Sequence, residues 1–121
     1  MERSVGYYRD GPGFAMKQQW VVDGKLRWCS LTLGGSTLML QQFPDSWKPA
    51  GKVAIGVSLR FVCEDAIAIY REALAARLEA SEPQVGNAMW MMSLLDPDGY
   101  RLDFESLTDV PEETKLSEVK R

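Results

Sequence analysis

Histidine is missing from this chain: none occurs in 121 residues. That excludes the Ser-His-Asp and Cys-His arrangements in which an imidazole activates a nucleophile. It also removes the commonest protein ligand of catalytic zinc, iron or nickel. Chemistry near neutral pH would fall to carboxylates, Tyr, Lys, Cys or a cofactor. Cysteine is scarce. The two present, Cys29 and Cys63, are far apart and each lies in an apolar, strand-like run. They read as reduced buried thiols, which makes the cytoplasm the default compartment. No apolar run approaches the ~20 residues of a membrane-spanning helix, and Met1-Glu2-Arg3-Ser4 lacks the apolar core of a secretory signal. Long blocks of like charge are lacking too. A net charge of −3 leaves no basic footprint for nucleic acid.

What is present suits one soluble globular domain, with 45 % apolar and 26 % charged residues. Residues 1 to 9 read as a short helix stopped by Gly11-Pro12-Gly13. Three antiparallel strands follow: FAMKQQWVV, LRWCSLTLG and STLMLQQF. The turn pair Asp23-Gly24 separates the first two, and Gly34-Gly35 the next. The proline- and glycine-bearing stretch from Pro44 to Lys52 divides the chain into halves. The second half opens on the β-prone run VAIGVSLRFVC. Glu64-Asp65 then stands where a helix start favours acids. Residues 66 to about 79 read as a helix with an apolar stripe of Ile67, Tyr70, Leu74 and Leu78. SEPQVGN breaks it. Two strands, AMWMMSLL and YRLDFESL, then fold back through Asp96-Pro97-Asp98-Gly99. The charged tail from Thr108 reads as a solvated extension with a short frayed helix.

The halves echo each other. SVGYYRD at residues 4–10 aligns with AIAIYRE at residues 66–72, and each segment is a helix followed by strands. The second half also has a strand directly before its helix, whereas the first begins at the helix. Three readings are open. Either the strand is encoded upstream of Met1, or it is lost, leaving a sheet edge for a partner chain to cover, or the symmetry is false.

Taken in this order and spacing, RSVGYYRDGPGF, STLMLQQF, GVSLRFVCEDAIAIYREAL and LLDPDGYRLDFES resemble the vicinal oxygen chelate superfamily. This group spans glyoxalase I, bleomycin resistance proteins, fosfomycin-resistance enzymes and extradiol dioxygenases. The resemblance covers residues 3 to 106. It implies an α+β fold: two βαβββ modules form a curved sheet around a cleft, here without the first strand of module one. The modules fall at residues 1–43 and 53–106 of a single domain, with a polar tail at 107–121. It also implies a homodimer. Metal-dependent members take ligands from the first and last strands of each module. Carried over, those positions hold Met39, Ser58 and Asp103, with Gln41 and Glu105 next on the same faces; the fourth falls on the absent strand. Asp103 is the one good oxygen donor among them, since a thioether and a neutral hydroxyl suit Mg, Mn or Fe(II) poorly. No metal and no other cofactor is therefore expected.

The metal-free branch of that family binds drugs in its cleft without transforming them. If the last hairpin closes around Asp96 to Gly99, Met92 lies opposite Asp103 and Trp90 opposite Glu105. Trp90 and Met92 would then line the cleft with Ser58, Arg60, Met39 and Gln41, a wall suited to a flat or cationic ligand. Against this, tryptophans and methionines more often fill cores, and Arg60 has Asp103 and Glu105 as simple ion-pair partners. A slip of one residue would exchange the faces and turn Leu102 and Phe104 to the cleft. The leading expectation is a small-molecule-binding protein of the glyoxalase/bleomycin-resistance type. The alternative is a metal-dependent lyase, isomerase or dioxygenase completed by an upstream strand or partner chain. A third is an interaction role for the open sheet edge.

Overall fold

The computed structural model describes residues 1–44, 46, 51 and 53–119. Most of the expected divider between the halves, including Trp47, lies outside them. At the first turn, Asp23 and Gly24 both take positive φ, 52° and 74°, the backbone of a tight hairpin. They join β1 (Ala15–Val22) to β2 (Lys25–Leu33). Strand β3 (Ser36–Gln41) returns along β2 with Ser30 opposite Met39 and Trp28 opposite Gln41. The three make one antiparallel sheet that follows helix α1 (Glu2–Asp10) in the chain. Two register shifts, at Met16/Gln18 and Trp20/Val21, break the β1 ladder.

The second half is β4 (Ser58–Val62), α2 (Ala66–Ala75), β5 (Gln84–Gly86), β6 (Met89–Leu95) and β7 (Arg101–Leu107). Asp65 caps α2 as expected, its carboxylate accepting the Ala68 N–H at 3.0 Å. The sheet order is β4-β7-β6-β5, with β4 parallel to β7 and the other pairs antiparallel. This half is a complete βαβββ unit, and the first half repeats its helix and three antiparallel strands. The α+β class read from the sequence is the class observed. Strand β5 was not foreseen, because its three residues lie inside a turn-rich stretch.

Two further expectations change. Helix α2 ends at Ala75, and the next turn is broken by the positive φ (63°) of Arg77. Its buried face is Ala66, Ile69 and Ala73, while Leu74 is exposed. Small residues let the helix lie close on β6 and β7, and Ile67, Tyr70 and Leu78 of the expected stripe pack only partly buried at the edge of that face, with Leu74 turned out. The tail is not simply solvated. Lys115 bridges to Gln84, Leu116 donates its N–H to the Pro83 carbonyl at 2.9 Å, and Val110, Leu116 and Val119 pack on the core.

The halves share that core. Tyr8, Phe14, Phe61 and Phe104 run from α1 to β7 as a ring chain with centroid spacings of 5.6, 5.5 and 5.2 Å. Tyr8 also donates its hydroxyl to Asp96 at 2.8 Å, joining the first helix to the last hairpin.

Candidate functional site

The geometry of the last hairpin decides which residues share a face. Asp96 accepts the N–H groups of Asp98 and Tyr100 on one carboxylate oxygen, at 2.9 and 2.8 Å. Its own N–H donates to the Tyr100 carbonyl at 2.9 Å. These bonds draw Tyr100 into the loop. Leu95 therefore pairs with Arg101, Ser93 with Asp103 and Met91 with Glu105. The expected register was one residue off, and this corrects two site residues. Trp90 and Met92 lie opposite Ser106 and Phe104 on the core face, 7 % and 1 % exposed, and do not line an open face.

Arg60, Asp103, Glu105 and Ser58 do share a face. In the parallel β4–β7 pair Arg60 is beside Asp103, and Ser58 is beside Arg101. Alternation along β7 sends Leu102, Phe104 and Ser106 inward under α2, whose first N–H (Ala66) donates to Ser106 Oγ at 2.9 Å. Arg101, Asp103 and Glu105 point to the opposite face. Met91 and Ser93 join them from β6 and were not foreseen; a five-residue loop in place of four would have named both.

Asp103 is the centre of this face. Its side chain is 3 % exposed, lying between Arg60 and Arg101, which are 56 % and 57 % exposed. Oδ1 accepts from Ser93 Oγ at 2.6 Å and from Arg101 Nε at 2.8 Å. Oδ2 is buried and accepts no hydrogen bond among the described residues. The Arg60 Nε is 3.8 Å from it, close enough for attraction but too long for a bond. Arg60 instead donates to Glu105 Oε1 at 2.8 Å. Burial pushes the Asp103 pKa up, yet the Ser93 and Arg101 hydrogen bonds and the two guanidinium charges outweigh it and hold the carboxyl below its ordinary value. The cluster sets two carboxyl groups against two guanidinium groups, with one buried acceptor unused.

Met39 and Gln41 stand on the other sheet. With Trp20, Trp28, Gln18 and Ser30 they make a face that carries no charge, on which Met39 is 63 % exposed. Among the described residues no hydrogen bond or ion pair joins them to Asp103, so the structure gathers Ser58, Arg60, Asp103 and Glu105 on one face, leaves Met39 and Gln41 on another and buries Trp90 and Met92. Both cysteines are free, and burial first of all pushes both thiols up, which keeps them neutral at pH 7. Among the described residues no three His, Cys, Asp or Glu side chains come together as metal donors. Nor is any helix there long and apolar enough to cross a membrane.

A βαβββ unit, a partial copy of it and a polar face on the final strand define a two-module α+β protein. The sequence matches the family model of the Glyoxalase/Bleomycin resistance protein/Dioxygenase superfamily over residues 1–104, and the chain belongs to that superfamily. No curated protein matches it. Among solved structures it is similar to TioX from Micromonospora sp. ML1, at 16 % identity and TM-score 0.68, covering 91 % of this chain and 90 % of that one. It is equally similar to TnmS3, an antibiotic binding protein from Streptomyces sp. CB03234, at 16 % identity and TM-score 0.68, covering 88 % and 86 %. A glyoxylase/bleomycin resistance protein/dioxygenase domain from Frankia sp. EAN1pec gives 17 % and 0.68, covering 92 % and 86 %. At these identities the likeness is one of fold.

Proposed function

We propose that this chain binds a small organic molecule without transforming it, holds no tight metal, and uses Asp103 as the polar anchor. The observation that carries the reading is the buried, unused Oδ2 of Asp103 on a sheet face that no core residue occupies. A buried acceptor without a partner costs about 1–3 kcal/mol, which a ligand donating an O–H or N–H there would recover. Arg60 fixes the second carboxylate, Glu105, beside it, and Ser58 borders the same face. Met39 and Gln41 would contribute from the uncharged sheet. The printed description of TnmS3 as an antibiotic binding protein supports the same class of role.

The donor chemistry speaks against a catalytic divalent ion. Asp103 is the only carboxylate among the carried-over ligand positions, and two guanidiniums flank it. Cations so placed compete with a metal for the same oxygens. We further propose that the chain works as a homodimer in the cytoplasm, with neutral free thiols and exposed apolar side chains on both open faces as support.

A screen of phenolic and cationic aromatic compounds against the wild type and Asp103→Ala tests the anchor. Hits that lose affinity about tenfold or more in the variant are the expected result. Equal affinity for every hit overturns the role of Asp103. Stoichiometric zinc, iron or manganese in the purified protein, by elemental analysis, overturns the metal-free reading.

A further inference from the structure

The Asp103 cluster does not end at Arg101. A pocket of about 590 Å3 opens from it, lined by Ser93, Leu95 and Arg101 of the last hairpin, by Glu79 and Ser81 of the segment after α2, and by Tyr7 of α1. Its size lies within the usual range for small-molecule sites. Three of its polar groups are unused. Arg101 spends Nε on Asp103, and its two terminal nitrogens have no partner among the described residues. Glu79 is exposed and makes no ion pair there, although Arg101 lines the same pocket. The Tyr7 hydroxyl accepts and donates nothing among the described residues. Burial, with the Asp96 charge second, pushes its pKa up to about 12, so it remains an O–H donor at neutral pH. The walls between these groups are apolar, from Leu95 and Ala80.

We infer that this pocket takes a zwitterion of the amino-acid type. The ligand's carboxylate would lie on the Arg101 terminal nitrogens and Tyr7, its ammonium on Glu79, and its apolar body along Leu95. The inference rests on the reading that this face binds a small molecule and specifies the ligand's charged end. Two opposite charges that line one pocket without meeting leave a gap, which a molecule carrying both charges fills. An anion alone would leave Glu79 repelling it, and a cation alone would leave Arg101 doing so. Arg101 also connects the two parts of the site. Its Nε fixes Asp103 while its two terminal nitrogens stay without a partner among the described residues, a division that a planar guanidinium allows and a lysine would not.

Amide NMR titration of the full chain with L-phenylalanine, L-phenylalaninamide and N-acetyl-L-phenylalanine tests this directly. The amide lacks the carboxylate and the acetyl compound lacks the ammonium. L-phenylalanine should shift the Ser81, Leu95 and Arg101 amides in a saturable way and bind about fivefold or more tightly than either blocked compound, as expected for partly exposed charge pairs. Glu79→Gln, an exposed position whose loss leaves the fold intact, should abolish the advantage over N-acetyl-L-phenylalanine while leaving that over the amide. Equal affinity for all three compounds, or no shift at these amides, overturns the inference. The Asp103 reading is scored separately. Should Asp103→Ala leave every aromatic hit unchanged while Glu79→Gln still erases the ammonium preference, the anchor falls and the zwitterion pocket stands. The opposite pair of results removes the pocket and keeps the anchor.

Discussion

Asp103 and Tyr8 are polar groups whose environments act in opposite directions on their protons, and each gives a pH-dependent expectation. The Asp103 carboxyl is held below the ordinary 3.8, so it contributes stability that is fully present above about pH 4 and is lost as pH falls through its lower folded value. Asp103→Asn keeps the shape but removes the charge that Ser93 and Arg101 hold. It should cost about 1–2 kcal/mol at pH 7. The gap should narrow as pH falls below 3.8 and through the lower folded value, where the wild type loses the same charge; urea unfolding at pH 7 and along an acid series measures it. Tyr8 lies at the other end of the scale. Burial first, and then its bond to Asp96, raise its pKa above the ordinary 10. Its stabilising effect is therefore present below pH 10 and is lost as pH rises beyond it. Tyr8→Phe leaves Asp96 Oδ2 without this donor and should lower stability by about 1–2 kcal/mol at neutral pH. A deficit that vanished at pH 7 and appeared only in alkali would show that the hydroxyl is not bonded as described.

Helices and strands were legible in the sequence wherever a local rule acted alone. Asp23-Gly24 set its hairpin through backbone conformation, and Asp65 set its helix start through one hydrogen bond. Legibility failed where a side chain some residues away had the deciding role. Asp96 holds Tyr100 in the loop, a bond that no residue count predicts, and that single residue moved Trp90 and Met92 to the core. The site suffered more than the fold, because a one-residue slip leaves every strand in place and reverses every face. Residues within β7 kept their relation, since Arg101, Asp103 and Glu105 alternate whatever the partner's register. The face of α2 was read only in part for another reason: close approach to β6 and β7 selects small residues, which carry little hydrophobic signal, so Ile67, Tyr70 and Leu78 fall at its edge and Leu74 outside it. Ala73 is fully buried and Leu74 is 47 % exposed. Ala73→Leu should therefore destabilise by about 1–3 kcal/mol through overpacking. Leu74→Ala should change stability by no more than about 0.5 kcal/mol. Thermal melts of the two variants settle which of the two side chains is inside, and the reverse ranking would return Leu74 to the buried face.

At the scale of the molecule, two sheets present open faces of different character. The first is uncharged and exposes Trp20 and Met39. The second carries the Asp103 cluster and is rimmed by Val62 and Leu107, exposed by 65 % and 77 %. Scattered apolar residues on a surface need no explanation, but a rim of them around a charged centre favours burial against another chain. The proposed dimer would bring such a surface on one copy against the other, and a standard interface needs only about 800 Å2 from each partner. Sedimentation of the wild type at micromolar concentration should then give twice the 13.6 kDa of one chain. Leu107→Glu places a carboxylate on the rim without touching the core. It should shift the protein to monomer while its melting, measured at concentrations where the wild type is also dissociated, stays unchanged. It should also leave binding at Asp103 intact if one chain suffices for the site, and reduce it if the uncharged face of the second copy completes the wall. A wild-type monomer at every concentration removes the second arrangement and requires Met39 and Gln41 to reach the ligand from within the same chain.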